Sequence, residues 1–483
     1  MKLSAIAKII GLFLILFSVS MLPPVVVDMI YQQHSSFAFY AAFLITLLTG
    51  LVLWLPFQRQ HVELRIRDGF LIVVLFWMVL SVFGGLPFML SDSLSLSFTN
   101  ALFESMSGLT TTGASVITTI DSLPNAILFY RQEIQFIGGM GIIVLAVAVL
   151  PMLGIGGMQL VRAETPGPIK DSKLTPRIQE TAKTLWYIYV GLTALCTFFY
   201  WLCGMSFLNA IGESFATVST GGFSMHSASF GYYASPSINI VGIVFMLLGS
   251  INFGLHYIFL QKKSLMVYLR DIEFRAYIYL VIIVSLIVFS VLAWNHYYES
   301  KWDIFIDSLF NVVSVISTTG FITASFPNWP VFIGVVVMMG GIIGGCSSST
   351  AGGMKVVRFV LLNKQSLCEL KKLIHPRAIY SVKFGGGVLP EHVIQAIWGF
   401  ISAYTIVLVV MILLLLANNV DLVTAFGASV ASLSNVGVGL GNVAVEFSSL
   451  NSMSKWVLII GMLLGRLEIF TVLVLFLPEF WKR

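Results

Sequence analysis

The chain has 483 residues, of which 58% are hydrophobic and only 10% are charged. A soluble domain carries about 25% charged residues, so this composition excludes a water-soluble globular protein and favours an all-α protein that crosses a membrane several times. The formal net charge of +5 points to no nucleic-acid partner, because basic residues in short loops orient a membrane protein and contact anionic lipid.

Apolar runs that approach the roughly 20 residues needed to cross the hydrocarbon core occur along the whole chain. They predict ten membrane-spanning helices, at 5–27, 37–57, 70–90, 126–152, 183–203, 236–260, 275–295, 330–361, 393–417 and 454–478. We expect two N-terminal transmembrane helices in residues 1–69. Four repeats are expected to follow, at 70–157, 158–261, 262–363 and 364–483.

The basic residues are concentrated in every second connection between the predicted spans. Examples are Arg59, Lys183, Lys262 and Lys372. Cytoplasmic loops of membrane proteins are enriched in lysine and arginine, so these connections and both termini are predicted to lie in the cytoplasm. Because no soluble block is longer than about 30 residues, any large regulatory module is expected to be a separate polypeptide.

Four similar segments lie in the predicted outer connections. They read FTNALFESMSGLTTTG (Phe98 to Gly113), FLNAIGESFATVSTGG (Phe207 to Gly222), FIDSLFNVVSVISTTG (Phe305 to Gly320) and LVTAFGASVASLSNVG (Leu422 to Gly437). Each segment begins with a bulky apolar residue, has a small residue at its fourth position and ends in glycine. A helix of about 12 residues is too short to cross a bilayer, so each segment is predicted to enter and leave the membrane on the same side.

The turns that close these segments carry oxygen atoms without charge. Non-helical backbone at membrane depth is tolerated only where protein buries it or where it lines a watery cavity. Carbonyl and hydroxyl oxygens can replace the hydration shell of a cation, and glycine at positive φ lets successive carbonyls turn toward one axis. The C-termini of the short helices would add partial negative charge there. The segments therefore predict a single cation pathway lined by four turns.

The four loops resemble those of the superfamily of bacterial Trk and Ktr and plant HKT cation transporters. The segments YRQEIQFIGGMGIIVLAVAVLP, RAETPGPIKDSKLTPRIQETAKTLW and LLGRLEIFTVLVLF are similar to the Trk branch, and the similarity covers the whole chain. The resemblance implies potassium uptake across the bacterial inner membrane, with four helix–pore-loop–helix repeats around a pseudo-four-fold pore. It also implies a homodimer with a pathway in each protomer, no covalent cofactor, and control by a cytoplasmic nucleotide-binding regulator, TrkA.

The resemblance further implies which residues form the selectivity filter. The potassium-binding positions correspond to Thr111, Thr112, Thr220, Gly221, Thr318, Thr319, Asn435 and Val436. Each pair is followed by a filter glycine, namely Gly113, Gly222, Gly320 and Gly437. In the superfamily a serine at the first of these glycines accompanies sodium preference, so four glycines favour potassium. The fourth turn departs from the threonine-rich pattern of the others.

The stretch GGIIGGCSSSTAGGMK, from Gly340 to Lys355, lies within one predicted span. It does not fit a phosphate-binding loop, because no hydroxyl residue follows Lys355 and no strand precedes the stretch. Its glycines and hydroxyl residues indicate a broken helix, although close packing of helices through glycine is an alternative. The resemblance implies a gating loop beneath the filter. Its predicted gate residues are Gly344, Gly345, Ser347, Ser348, Ser349 and Lys355.

Three ionisable residues inside predicted membrane segments are further candidates. Arg466 lies in the last span, where a positive charge facing the pathway would raise the barrier to cations, and the resemblance implies a gate arginine here. An arginine that binds carbonyls of the Gly340 to Lys355 stretch is the alternative. Glu104 and Glu213 occupy matching positions in the first two short helices, so we expect them to hold the filter in place.

Two other functions are compatible with a membrane chain of this kind. A proton- or sodium-coupled potassium symporter would use inverted repeats and a carboxylate near the membrane centre, for which Glu133 and Glu468 are the candidates, whereas the repeats here share one orientation. A membrane enzyme acting on lipid would need clustered catalytic groups, but the seven histidines are scattered along the chain. We therefore predict a transport protein and no enzymatic activity.

Overall fold

A computed structural model provides the structure of this protein. The described residues are 3–33, 35–59, 66–139, 141, 178–297, 300–323, 326–378, 380–384 and 387–482. Within these ranges the regular structure is helical except for one antiparallel strand pair, β1 (Lys383–Phe384) with β2 (Gly387–Val388). The predicted predominance of helix is confirmed. The predicted boundary between the first and second repeats, at 157–158, lies outside the described residues.

Among the described residues, three helices come first and four groups of helices follow. Each group contains a long helix, then a helix of 12 to 16 residues, and then at least one further helix. The first three are α1 (Leu3–Ser18), α2 (Leu22–Tyr31) and α3 (Ser36–Trp54). The first two groups are α4 (Ile66–Gly84), α5 (Leu86–Leu90), α6 (Phe98–Leu109) and α7 (Asn125–Gly139), then α8 (Ile178–Leu202), α9 (Phe207–Ser219), α10 (Pro236–Ser250) and α11 (Phe253–Lys262). The last two are α12 (Met266–Arg270), α13 (Ile272–Trp294), α14 (Lys301–Ile316), α15 (Val331–Ile343) and α16 (Val356–Ile374), then α17 (Glu391–Ala417), α18 (Leu422–Leu433), α19 (Ser452–Arg466), α20 (Phe470–Leu473) and α21 (Pro478–Trp481).

Among the described residues, six helical stretches are long and apolar enough to cross a membrane. They are Ser4–Tyr31, Ser36–Phe57, Arg67–Leu90, Lys183–Leu202, Ile272–Trp294 and Glu391–Ala417. Two bent helix pairs bring the number to eight if each pair is one span. Ten spans stay a prediction, and the predicted span 126–152 extends beyond the described residues.

Three predicted spans are not continuous helices. The 236–260 span bends by 98° between α10 and α11, where the Asn252 side chain accepts a hydrogen bond from the Gly254 amide (2.7 Å) and starts a new helix. The 454–478 span bends by 108° after α19, where Glu468 and Ile469 have positive φ. The 330–361 span is divided into α15 and α16, because Gly344 ends α15 with a φ of 75°. The third break agrees with the broken helix that the sequence indicates between Gly340 and Lys355, whereas the other two bends interrupt apolar runs that were predicted as single spans.

Four short helices, α6, α9, α14 and α18, have capped N-termini. A side-chain oxygen accepts a hydrogen bond from the backbone amide three residues later, which satisfies a group that the helix itself leaves unpaired. The capping residues are Ser97, Ser206, Ser300 and Asp421. The helices are 12, 13, 16 and 12 residues long. They are therefore too short to span a bilayer.

The short helices are buried, whereas the long helices expose apolar side chains. In α6 and in α18, nine of the 12 residues are buried. By contrast, Ile282 and Ile283 of α13 and Leu413 and Leu414 of α17 are exposed. Exposed apolar side chains on long helices suit contact with lipid. The fold thus surrounds the four polar turns with protein and presents apolar helices on the outside.

Candidate functional site

The four predicted filter turns meet in a closed ring. We call this the turn ring, and it consists of residues 111–113, 220–222, 318–320 and 435–437. A Cβ atom added to the glycine of each turn would lie under 3.0 Å from a carbonyl oxygen of the next turn, a distance that real Cβ atoms essentially never show. The glycine and carbonyl pairs are Gly113 with Gly221, Gly222 with Thr319, Gly320 with Val436 and Gly437 with Thr112. Because the fourth turn contacts the first, all four surround one axis.

Each turn of the ring has the same backbone conformation. The first residues, Thr111, Thr220, Thr318 and Asn435, have φ values of 52°, 53°, 56° and 52°. The glycines have φ values of 83°, 82°, 85° and 82°, and the residues between them are outside the positive-φ region. This alternation lets successive peptide groups direct their carbonyls to the same side, which is the arrangement that a ring of cation-binding carbonyls requires.

The turns continue directly from the C-termini of the short helices. In each, the amide of the turn's middle residue donates to a carbonyl five residues earlier at 2.8 Å. The donors and acceptors are Thr112 and Ser107, Gly221 and Ala216, Thr319 and Ser314, and Val436 and Ala431. This bond and the left-handed residue before it define a Schellman cap, where glycine is usual. Threonine or asparagine at that position costs about 1 kcal/mol of backbone strain, which is typical of functional positions.

The predicted carboxylates hold the chain that leaves the first two turns. Glu104 accepts hydrogen bonds from the amide of Val116 (3.0 Å) and the hydroxyl of Ser115 (3.0 Å). Glu213 accepts in the same way from the amide of Met225 (2.9 Å) and the hydroxyl of Ser224 (2.7 Å). The contacts expected for both residues are thus present.

The equivalent position differs in the other two short helices. In α14 it is Asn311, whose side-chain oxygen accepts from the Thr323 amide (3.2 Å) and whose side-chain nitrogen donates to the Thr323 hydroxyl (2.8 Å). In α18 it is Ala428, which has no polar side-chain atom. The side chain at this position is therefore a carboxylate in the first two short helices, an amide in the third and a methyl group in the fourth.

Arg131 links the residues that hold the chain after the first turn to those that follow the second turn. Sequence analysis did not detect this role. Its Nε donates to Glu104 at 2.9 Å and its Nη1 donates to the Ser224 carbonyl at 3.2 Å. The exposed fraction of the arginine and glutamate side chains is 1% and 0%. Removal of only one partner of such a buried ion pair strongly destabilises a protein, because the other charge stays buried without a counter-charge.

We expect Arg131→Ala to lower the free energy of unfolding by about 3–5 kcal/mol, because the Glu104 carboxylate would be left buried without its counter-charge. Thermal unfolding of the purified protein in detergent measures this effect as a lower melting temperature. Lys372→Ala is the matched control, because Lys372 forms an exposed ion pair with Glu369 and its loss should leave the melting temperature unchanged. Equal melting temperatures for both variants would contradict the prediction.

The residues between α15 and α16, which we call the 344–355 loop, lie against the turn ring. The contacts join the loop to the second and third turns and to Ser434, the residue before the fourth turn. They are the Thr220 hydroxyl with the Thr350 hydroxyl (3.3 Å), the Gly352 amide with the Thr318 hydroxyl (2.5 Å), and the Gly353 amide with the Ser434 carbonyl (3.0 Å). The stretch predicted as a broken helix is therefore next to the four turns.

Further hydrogen bonds hold the predicted gate residues in place. The amide and hydroxyl of Ser347 both donate to the Glu273 carboxylate at 2.7 Å. The Ser349 hydroxyl donates to the Cys346 carbonyl at 2.6 Å. The Ser348 carbonyl accepts from the Phe253 amide (3.1 Å), and the Gly345 carbonyl accepts from the Val356 amide (3.0 Å). The Lys355 ammonium donates to the Ala351 carbonyl. Sequence analysis missed Glu273, which lies in the first turn of a long apolar helix and gives no local signal.

Arg466 connects the 344–355 loop to the first turn. Its Nη1 donates to the Thr111 hydroxyl and to the Thr350 carbonyl, both at 3.2 Å. Its Nη2 donates to the carbonyls of Gly138 and Gly139, the latter at 3.0 Å, at the end of α7. The guanidinium thus lies beside the turn ring and also binds a loop carbonyl. This geometry is compatible with both predictions for Arg466, a charge facing the pathway and a binding partner for loop carbonyls.

Known proteins similar to this chain are potassium transporters. Residues 35–483 match the TrkH family model, described as a cation transport protein. The Trk system potassium uptake proteins TrkH of Vibrio parahaemolyticus and of Escherichia coli K12 are 51% and 52% identical, and each alignment covers 100% of both chains. TrkG of Escherichia coli K12 is 42% identical over 98% of this chain and 97% of its own. The crystal structure of the potassium transporter TrkH from Vibrio parahaemolyticus matches with a TM-score of 0.91 and 49% identity, covering 100% of both chains.

Proposed function

The chain belongs to the TrkH family of cation transport proteins, and from this premise we propose that it takes up potassium across the bacterial inner membrane through the turn ring. Its relatives are named as potassium uptake proteins. The observation that carries the proposal is the close approach of each ring glycine to a carbonyl of the next turn. Four chemically similar turns around one axis offer a cation the oxygen ligands that it loses with its water.

The proposed filter binds dehydrated potassium ions with backbone carbonyls and threonine hydroxyls. Thr111, Thr112, Thr220, Gly221, Thr318, Thr319, Asn435 and Val436 would provide these ligands. The C-termini of the four short helices point toward the ring and contribute partial negative charge without an ionised side chain. An uncharged site of this kind binds an ion weakly enough to release it to the next position, which conduction requires.

The proposed gate is the 344–355 loop together with Arg466. The loop contacts the second and third turns and the residue before the fourth, and the arginine contacts the first. These contacts support a gate on this side of the ring, where the loop and the arginine would lie across the exit. Opening would exchange the hydrogen bonds from Gly352 and Arg466 for contacts with water and ions. A TrkA-like cytoplasmic nucleotide-binding subunit acting on a homodimer would control that exchange, and the Trk system named for the relatives supports such a partner.

Growth of a bacterium that lacks its own potassium uptake systems tests the proposed function. Expression of this chain, with a Trk regulator present in the host, should restore growth at limiting potassium and should produce rubidium uptake. Absence of both, with the protein present in the membrane, would contradict the proposal. Flux of the purified protein in proteoliposomes should follow the potassium gradient alone. A dependence on a proton or sodium gradient would instead favour the coupled symporter.

A further inference from the structure

The second turn of the ring lacks the side chain that the other three carry at the middle position. The middle residues are Thr112, Gly221, Thr319 and Val436. In the first and third turns the threonine hydroxyl contacts the hydroxyl two residues earlier, Thr110 at 2.8 Å and Ser317 at 2.7 Å. The second turn retains the earlier hydroxyl, Ser219, but has no side chain with which to pair it. One quarter of the ring is therefore built differently from its neighbours.

Gln135, from α7 of the preceding group, occupies the space left by that missing side chain. A Cβ atom added to Gly221 would lie 2.5 Å from Cδ, 2.6 Å from Oε1 and 2.9 Å from Nε2 of Gln135. The glutamine is completely buried. Glycine at position 221 and glutamine at position 135 therefore fit each other, and no larger residue can replace this glycine while the glutamine stays in place.

The Gln135 amide makes one donor and one acceptor contact with the second turn. Its Nε2 donates to the Gly221 carbonyl at 2.5 Å, and its Oε1 accepts from the Phe223 amide at 3.1 Å. A carbonyl needs a donor and an amide N–H needs an acceptor, so these two partners define the orientation of the side chain. The Gly221 carbonyl is also the one that lies against Gly113 of the neighbouring first turn. The glutamine thus holds the oxygen at the contact between the first and second turns.

We propose that Gln135 is a positioning residue for ion selectivity, which fixes the Gly221 carbonyl in place of the hydroxyl pair found in the first and third turns. The inference rests on the proposed function of the turn ring as a potassium filter. Discrimination between potassium and sodium depends on the number and placement of coordinating oxygens. Release of one carbonyl should therefore change the ion preference more than it changes the amount of folded protein.

The ratio of rubidium to sodium uptake in proteoliposomes tests this role. We expect Gln135→Ala and Gln135→Met each to lower the ratio about fivefold, which corresponds to about 1 kcal/mol at 1.4 kcal/mol per tenfold change. Methionine fills the space but cannot donate to the Gly221 carbonyl, so it separates hydrogen bonding from packing. The matched control is Gln132→Ala, because Gln132 is a buried glutamine on the same helix whose amide makes no hydrogen bond with the described residues. The control should keep the original ratio.

A double substitution provides the more demanding test. Gly221→Thr alone should abolish uptake, because its Cβ would collide with Gln135. Combination with Gln135→Ala frees the space and allows the new hydroxyl to pair with Ser219, as in the first and third turns. We expect the double variant to recover uptake. Its ratio of rubidium to sodium uptake should lie within about twofold of the original, which is a smaller change than the loss of one hydrogen bond would cause.

Three results would overturn the inference. They are an unchanged ratio in both Gln135→Ala and Gln135→Met, a change of similar size in Gln132→Ala, or a double variant no more active than Gly221→Thr. Because the ratio does not depend on the amount of protein, the methionine and double variants decide the matter if the alanine variant fails to fold. Failure of the unaltered chain to take up rubidium would refute the proposed function itself, whereas normal uptake with an unchanged ratio refutes only the role of Gln135.

Discussion

Gly320→Ser is expected to lower the ratio of rubidium to sodium uptake by at least about tenfold, which equals 1.4 kcal/mol in relative barrier height. Gly320 has a φ of 85°, and a Cβ atom there would overlap the Val436 carbonyl. Serine therefore adds strain in the left-handed region and also pushes a ring oxygen from its position. Uptake of the two ions by proteoliposomes measures the ratio, and potassium-limited growth should fail in parallel.

Gly191→Ser provides the matched control for this substitution. Gly191 lies in α8, where a Cβ atom would meet nothing within 4 Å, so the variant adds the same side chain without entering the turn ring. We expect normal growth and an unchanged ion ratio. If Gly320→Ser rescues growth and leaves the ratio as it was, the third turn does not form part of the filter.

Arg466→Ala is expected to raise the rate of potassium uptake per molecule on the order of tenfold. The substitution removes the hydrogen bonds from the guanidinium to Thr350 in the 344–355 loop and to Thr111 in the turn ring. Each bond contributes about 0.5–1.5 kcal/mol, and each 1.36 kcal/mol lost from a barrier accelerates a step tenfold. Removal of the positive charge also lowers the electrostatic barrier to a cation. Rubidium flux, divided by the amount of protein in the membrane, measures the effect.

Two further variants separate the possible causes. Arg466→Lys keeps the charge, but its single ammonium cannot reach all the carbonyls that the guanidinium binds. Flux should therefore stay low if the positive charge is the barrier, and it should rise if the hydrogen bonds of the guanidinium are the barrier. Lys455→Ala is the control on the same helix, because the Lys455 ammonium contacts Asn100 and Ser448, away from the 344–355 loop. A fall in protein amount without higher flux per molecule would show that Arg466 is only structural.

Short-range patterns were sufficient to locate the residues of the turn ring. Repeated glycines and helices too short for a bilayer are features of neighbouring residues, and local backbone conformation depends mainly on such neighbours. The break between α15 and α16 was accessible for the same reason. The bends after Ser250 and Arg466 were missed, because the hydropathy of an apolar run does not change where the helix turns. Local rules therefore found the elements but not every change of direction.

Residues that act through distant partners required the tertiary structure. Gln135 is 86 residues from Gly221, Glu273 is 74 residues from Ser347, and Arg466 is 355 residues from Thr111. A buried polar side chain must find a hydrogen-bond partner, but its sequence neighbours do not reveal which one. The sequence alone thus determined the membrane class, the similarity among the four segments and the residues of the turns. Only the packing of the helices decided how the turns close into a ring and which side chains support it, because those contacts exist only once distant parts of the chain share the same space.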